Sequence, residues 1–188
     1  MGQDSNSHAL VVGGTGMLLG CSLQLAQTFS HVSVLARRAS QAVQSHSKLW
    51  AIDADYSQWQ PTKTGIESAV QFHGPIDLIV SWVHSSAPDT PIQVAKLLVE
   101  HQKPVDFFDV LGSAFSNPAD PSRLSLRKAK FSSIEGLGYH SVVLGFAAEA
   151  TGSRWLTHKE ISDGVFEAIQ LKQQNFTVGQ TEPWGERP

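Results

Sequence analysis

Gly13, Gly14 and Gly16, with Thr15 between them, are the residues of this sequence whose type and spacing most directly suggest chemistry. A pyrophosphate group needs backbone N–H donors with no side chain in the way, and a glycine turn between a strand and a helix supplies them together with the positive end of the helix dipole. The short apolar run Ala9 to Val12 enters this turn, and Met17 to Phe29 leaves it with the length and apolar spacing of a buried helix, the context that separates a nucleotide turn from an ordinary tight one. The strict G-x-G-x-x-G pattern would place glycine at position 19, where Leu19 stands; the next glycine is Gly20. At the end of the second strand, His31 to Leu35, the sequence continues Ala36, Arg37, Arg38 with no carboxylate in the local run. An acid there would hold a ribose 2′-hydroxyl, whereas a guanidinium pairs bidentately with a 2′-phosphate. The two arginines therefore favour NADPH or NADP+ over NADH; the alternative is that they only keep a loop solvated.

A proton carrier is harder to place. His84 follows the fourth strand, at the edge where open α/β sheets bind their ligands, and histidine is the side-chain type suited to exchanging a proton there. Ser85, Ser86 and Ser113 could relay a proton or donate a hydrogen bond, and His84 reads equally well as a polar loop residue packed on Trp82. His140 begins a strand, and His158 sits in a first helical turn, where the dipole disfavours a cation. Arg154 and Trp155, ahead of the last helix, could hold an acidic substrate or the cofactor, or could staple that helix to the sheet. The eight histidines lack the spacing of a metal site, so no metal is expected.

These residues need a scaffold of alternating strands and helices. Beyond the first unit, strands are expected at Leu49 to Ile52, Ile76 to Val83, Val105 to Leu111 and Tyr139 to Phe146, with a seventh, edge strand at Phe176 to Val178. Helices are expected at Gly65 to Phe72, Ile92 to His101 and Leu124 to Ile134, with a loop from Ser113 to Ser122. Thr157 and Glu160 have the spacing of a capping box, which starts a final helix from His158 to Leu171. Strands apolar on both faces suit a parallel sheet covered on either side. The expected class is α/β, a Rossmann-type doubly wound, mainly parallel sheet, in one domain over 1–188 with a C-terminal tail from about 175.

Composition narrows the partners. A formal net charge of -3 and a pI of about 6.2 supply no positive field for nucleic acid. Cys21, the one cysteine, has no intramolecular partner and suits packing in a reducing, cytoplasmic setting. The start MGQDSNS lacks the basic and apolar regions of a signal peptide, Asn6 breaks the acylation pattern, and no apolar run nears the roughly 18 residues that span a bilayer.

The runs GGTGML, VLARR and DLIVSWVHSS resemble the short-chain dehydrogenase/reductase superfamily in its atypical branch. SWVHSSAP, DVLGSA and SRWLTHKEISDGV are similar to a narrower group of small bacterial proteins labelled short-chain dehydrogenases. The resemblance implies that Gly13, Thr15, Gly16, Met17 and Leu18 face the pyrophosphate, Arg37 and Arg38 the 2′-phosphate, and Asp55 with Tyr56 the adenine. It further implies that Ser81, Trp82 and Val83 line the cofactor and that Ser113 stands where the family has its catalytic serine. The family's tyrosine four residues before a lysine is missing, since Tyr56 precedes Gln60 and Tyr139 precedes Val143. The expected function is an NADPH-dependent reductase of a small molecule, with an activated C=N or C=C bond that accepts hydride without strong acid catalysis. The alternative is a non-catalytic NADP(H)-binding sensor or scaffold. Phe176, Trp184 and the prolines of the tail suggest a homo-oligomer.

Overall fold

The computed structural model describes residues 7–44, 46–100 and 104–188. His101, the last residue of one expected helix, lies outside the described residues, as does the MGQDSN start. Strand β1 (His8–Val12) runs into α1 (Leu19–Thr28), then β2 (His31–Ala36), a short α2 (Ala39–Val43), β3 (Leu49–Asp53) and α3 (Trp59–His73). The second half continues through β4 (Leu78–Ser81), α4 (Thr90–Glu100), β5 (Val105–Leu111), α5 (Ser122–Ser132) and β6 (Leu137–Leu144). A hairpin of β7 (Phe146–Glu149) and β8 (Gly152–Trp155) precedes α6 (His158–Leu171) and β9 (Asn175–Val178). Seven strands form one sheet in the order β3-β2-β1-β4-β5-β6-β9, with every pairing parallel. The doubly wound α/β class follows directly, and the order reverses between β1 and β4, the place where such sheets open a crevice.

Alternation along the strands builds a core on each face. Val11, Val34, Val80 and Val142 face Leu18, Cys21, Leu25, Ile161 and Val165. Leu10, Leu35, Ile79 and Phe107 face Ile66, Val94, Leu98 and Phe131 on the other side. Burial of side chains of this size contributes roughly 1.5–3 kcal/mol each before chain entropy is charged against it. Cys21 sits fully buried in the first of these layers, and burial pushes its thiol up to about 12, which suits packing rather than thiolate chemistry.

Three expected elements differ in their bounds, and the short α2 has no counterpart in the sequence expectation. The third helix begins at Trp59, not Gly65: Pro61 fits the first turn, where its missing N–H would have had no helical partner anyway. Gly65 then lets this helix approach β3, because a Cβ there would stand 2.3 Å from Ile52 Cγ2. The sixth strand stops at Leu144, and Phe146 instead opens the unforeseen β7–β8 hairpin. The reason is long-range: Phe146 and Gln180 exchange both backbone hydrogen bonds at 2.8 Å, so the tail enters beside Gly145, where a Cβ would meet the Gln180 carbonyl. The fourth strand is Leu78–Ser81 rather than Ile76 to Val83, with Asp77 and Trp82 still donating backbone N–H bonds to His8 and Val12 at its two ends.

Candidate functional site

The turn after β1 is built around Gly13. Its φ is +79°, which favours glycine, and its N–H donates to the Leu35 carbonyl at 2.8 Å, tying the turn to the end of β2. An added Cβ would lie 2.2 Å from the Trp82 carbonyl oxygen, so β1 and β4 approach here as only glycine allows. Gly16 points the other way, into open space, with nothing within 4 Å of an added Cβ. Helix α1 then starts without a side-chain cap and without an acid in its first turn; Leu19 N donates to the Gly16 carbonyl at 3.1 Å, and the positive end of the dipole faces the turn with no side-chain anion against it. Gly20 matters for packing: a Cβ there would press on Ser162 at 2.9 Å, and Ser162 Oγ donates to the Met17 carbonyl at 2.7 Å, locking α6 onto the turn.

Around this turn lies a cavity of about 340 Å³ lined by Gly13, Thr15, Gly16, Met17, Ala36, Arg37, Arg38, Tyr56, Trp82 and His158. Sequence reasoning missed His158 as a wall residue, because a helix-start histidine carries no local signal of what its edge faces. The walls fit a dinucleotide phosphate: open glycine, an uncapped helix start, and two exposed guanidinium groups. The sequence also concealed an acid. Asp53 pairs in register with Ala36, and its carboxylate accepts from Ser40 N at 2.8 Å and Ser40 Oγ at 2.6 Å, bonds that hold it below the ordinary carboxylate value. It caps the start of α2 and does not line the cavity.

The turn, the switch of strand order and the cavity at that switch can be set beside solved structures. No family model matches the chain, and no curated protein matches it. A mutant short-chain dehydrogenase/reductase from Serratia marcescens has 13% identity to it and a TM-score of 0.71, covering 92% of this chain and 96% of that one. An apo SCOR enzyme from Clostridium thermocellum has 16% identity and a TM-score of 0.67, covering 93% and 91%. A putative D-mannonate oxidoreductase from Haemophilus influenza with bound NAD has 12% identity and a TM-score of 0.65, covering 94% and 95%. The chain has the fold of the short-chain dehydrogenase/reductases.

Within that fold the candidate residues divide among neighbouring cavities. Trp82, half-buried at the end of β4, lines three of them. One, of about 240 Å³, adds Met17, Gly112, Ser113, Leu144, Gly145, Trp155, Leu156 and Ile161. The other, of about 450 Å³, holds Val83, His84, Ser85, Asp109, Phe115, Arg123 and Arg127 among its walls. His84 and Ser113 therefore stand in adjoining cavities, with Trp82 and Gly112 common to both. The His84 ring nitrogen Nδ1 is 3.5 Å from Ser85 Oγ; Ser86 lines neither cavity. Leu18 is fully buried in the core, and Ser81 is buried with its hydroxyl unpartnered among the described residues, so neither side chain lines the crevice. Asp55 is not among the cavity walls; its carboxylate accepts from Ser57 N at 2.9 Å and Ser57 Oγ at 2.7 Å, and these bonds, with the Arg37 charge, hold it below the ordinary carboxylate value.

The arginine before the last helix acts as a staple. Arg154 bonds Glu149 at 2.7 Å and reaches Glu160 with two donors at 2.8 and 2.9 Å, and Glu160 closes the capping box with Thr157. His140 serves structure also, stacking on Phe108 with ring centroids 4.3 Å apart. The buried carboxylate Asp109, 2% exposed, receives Arg127 Nε at 2.7 Å and Nη2 at 3.2 Å and the Tyr139 hydroxyl at 2.9 Å. Burial pushes the Asp109 carboxyl above its ordinary value against the pull of Arg127 and Tyr139. Burial and the neighbouring carboxylate push the Tyr139 phenol up too, so this tyrosine holds its proton and is unsuited to protonating a substrate.

Proposed function

We propose that the chain is an NADPH-dependent oxidoreductase acting on a small molecule. The observation that carries this reading is a single cavity in which the open glycine turn at an uncapped helix start faces Arg37 and Arg38. Bound nicotinamide supplies the hydride chemistry, and the protein has to hold it and manage a proton. Arg37 and Arg38 hold the 2′-phosphate, the Gly13 to Gly16 turn takes the pyrophosphate, and Tyr56 flanks the adenine. His84 moves the proton from the larger cavity, with Ser85 in reach, and Ser113 donates a hydrogen bond from the other side of Gly112. With Tyr139 committed to Asp109, a substrate with an activated C=N or C=C bond suits the site better than a simple ketone. Loss of turnover in neither His84→Ala nor Ser113→Ala would remove these two residues from the proposal.

Calorimetry with NADPH and NADH, on the parent and on Arg37→Asp, tests the cofactor. NADPH should bind the parent at least about tenfold more tightly, roughly 1.4 kcal/mol, and the variant should lose that preference. Equal affinity for both nucleotides would discard the 2′-phosphate assignment, and binding of neither would discard the whole reading. A non-catalytic NADP(H) sensor is the second reading, favoured by the engagement of Ser113 with the C-terminal tail at 3.3 Å; it requires tight NADPH binding with no NADPH oxidation across a broad substrate panel.

A further inference from the structure

The tail after β9 brings a cation to the candidate active site. From Gln180, bonded to Phe146, the chain returns so that the Glu186 carbonyl accepts a hydrogen bond from Ser153 Oγ. Arg187 is thereby set over the Trp155 ring at 5.6 Å and the Trp184 ring at 4.4 Å from its guanidinium carbon, and its Nη1 donates to Ser113 Oγ at 3.3 Å. Ser113 and Trp155 are walls of the 240 Å³ cavity, which is otherwise mostly apolar. Glu149 and Glu160, beside the hairpin, are committed to Arg154, and the adjacent Glu186 makes no ion pair with Arg187 among the described residues while its carbonyl is held by Ser153. Among the described residues Arg187 has no carboxylate partner, and two aromatic faces hold its planar fork ready for one.

We propose that Arg187 and Ser113 together form an anion-binding subsite at this cavity, so that the small-molecule ligand carries a carboxylate on an apolar body. A guanidinium and a hydroxyl side by side give a carboxylate up to three donors: two N–H groups of Arg187 and the O–H of Ser113, which accepts from Arg187 and keeps its own proton to give. The apolar walls receive the rest of the molecule. This deepens the oxidoreductase reading by naming the substrate class, and its placement beside the nicotinamide rests on that reading.

The test uses benzoate and benzamide, matched in shape and different in charge, titrated by calorimetry at constant ionic strength into the full chain saturated with NADP+. Benzoate should bind at least about tenfold more tightly than benzamide. Arg187→Gln should abolish the difference, Arg187→Lys should keep part of it, and the thermal midpoint should not move, since Arg187 is exposed. Equal affinity for the two probes, binding of neither, or a benzoate preference that survives Arg187→Gln would overturn the subsite. NADPH affinity separates the two readings. If the parent fails to bind nucleotide, the cofactor reading falls and the benzoate comparison is made on the nucleotide-free protein with the same criteria. If Arg187→Gln weakens NADPH as much as benzoate, Arg187 is a cofactor contact and the subsite is refuted.

Discussion

Replacing Arg127 with methionine removes the partner of a charge that the fold has already buried. Asp109 is 2% exposed and has three charge-assisted or hydroxyl donors, two from Arg127 and one from Tyr139. Arg127→Met leaves only the phenol, and a buried carboxylate stripped of its cation costs about 3–5 kcal/mol. The same arginine donates Nη1 to the Pro88 carbonyl at 3.2 Å, which ties α5 to the loop that carries His84, so the loss also loosens that wall of the larger cavity. Urea unfolding measures the change as a shift of midpoint at constant slope. The sign with pH is a second check. In the variant the carboxyl's folded value lies still further above its ordinary 3.8, so the folded state takes up a proton before the unfolded chain does, and the destabilisation shrinks as pH falls through that raised value. Asp109→Asn combined with Arg127→Met, which leaves a neutral acceptor for Tyr139, should recover about 2 kcal/mol of the loss. A single variant within about 1 kcal/mol of the parent, or a double variant no more stable than the single, would refute the account of a buried charge in need of its cation.

Two further outcomes follow from the same structure. Gly13→Ala should cost about 1–3 kcal/mol for the positive φ alone, before the 2.2 Å approach to the Trp82 carbonyl is relieved, and should weaken NADPH binding; an unchanged unfolding midpoint would contradict the close β1–β4 approach. At the opposite, N-terminal ends of the strands, buried His8 is bonded to the Gly74 carbonyl at 2.9 Å and Ser33 Oγ at 2.8 Å, and His31 stacks on His73 with centroids 4.4 Å apart. Burial depresses both His8 and His73 below the ordinary 6.5, so their contribution to stability is present above that value and is lost as pH falls below it through their folded values; a thermal midpoint that does not drop between about pH 7 and pH 5, or drops equally in His73→Gln, would count against it.

The sequence by itself determined the sheet and its order of elements. Alternating apolar runs of strand length and helical spacings need only local periodicity to be read, and most agree with the structure to within a few residues; the final helix agrees at both ends because its capping box is local chemistry. The glycine turn and the two arginines were legible for the same reason, as neighbours in sequence that line one cavity. What sequence could not give were meetings between distant segments. Asp53 lies beside Ala36 through strand register, Phe146 leaves the sixth strand for a hairpin where Gln180 returns to it, and Leu18 joins the core layer between the sheet and α1 and α6. The tail shows the difference most plainly. Its aromatic residues suggested a surface in need of cover, but only the tertiary path sets Arg187 between Trp155 and Trp184 and against Ser113, since a contact across more than seventy residues of chain leaves no periodicity in the sequence and is decided by packing alone.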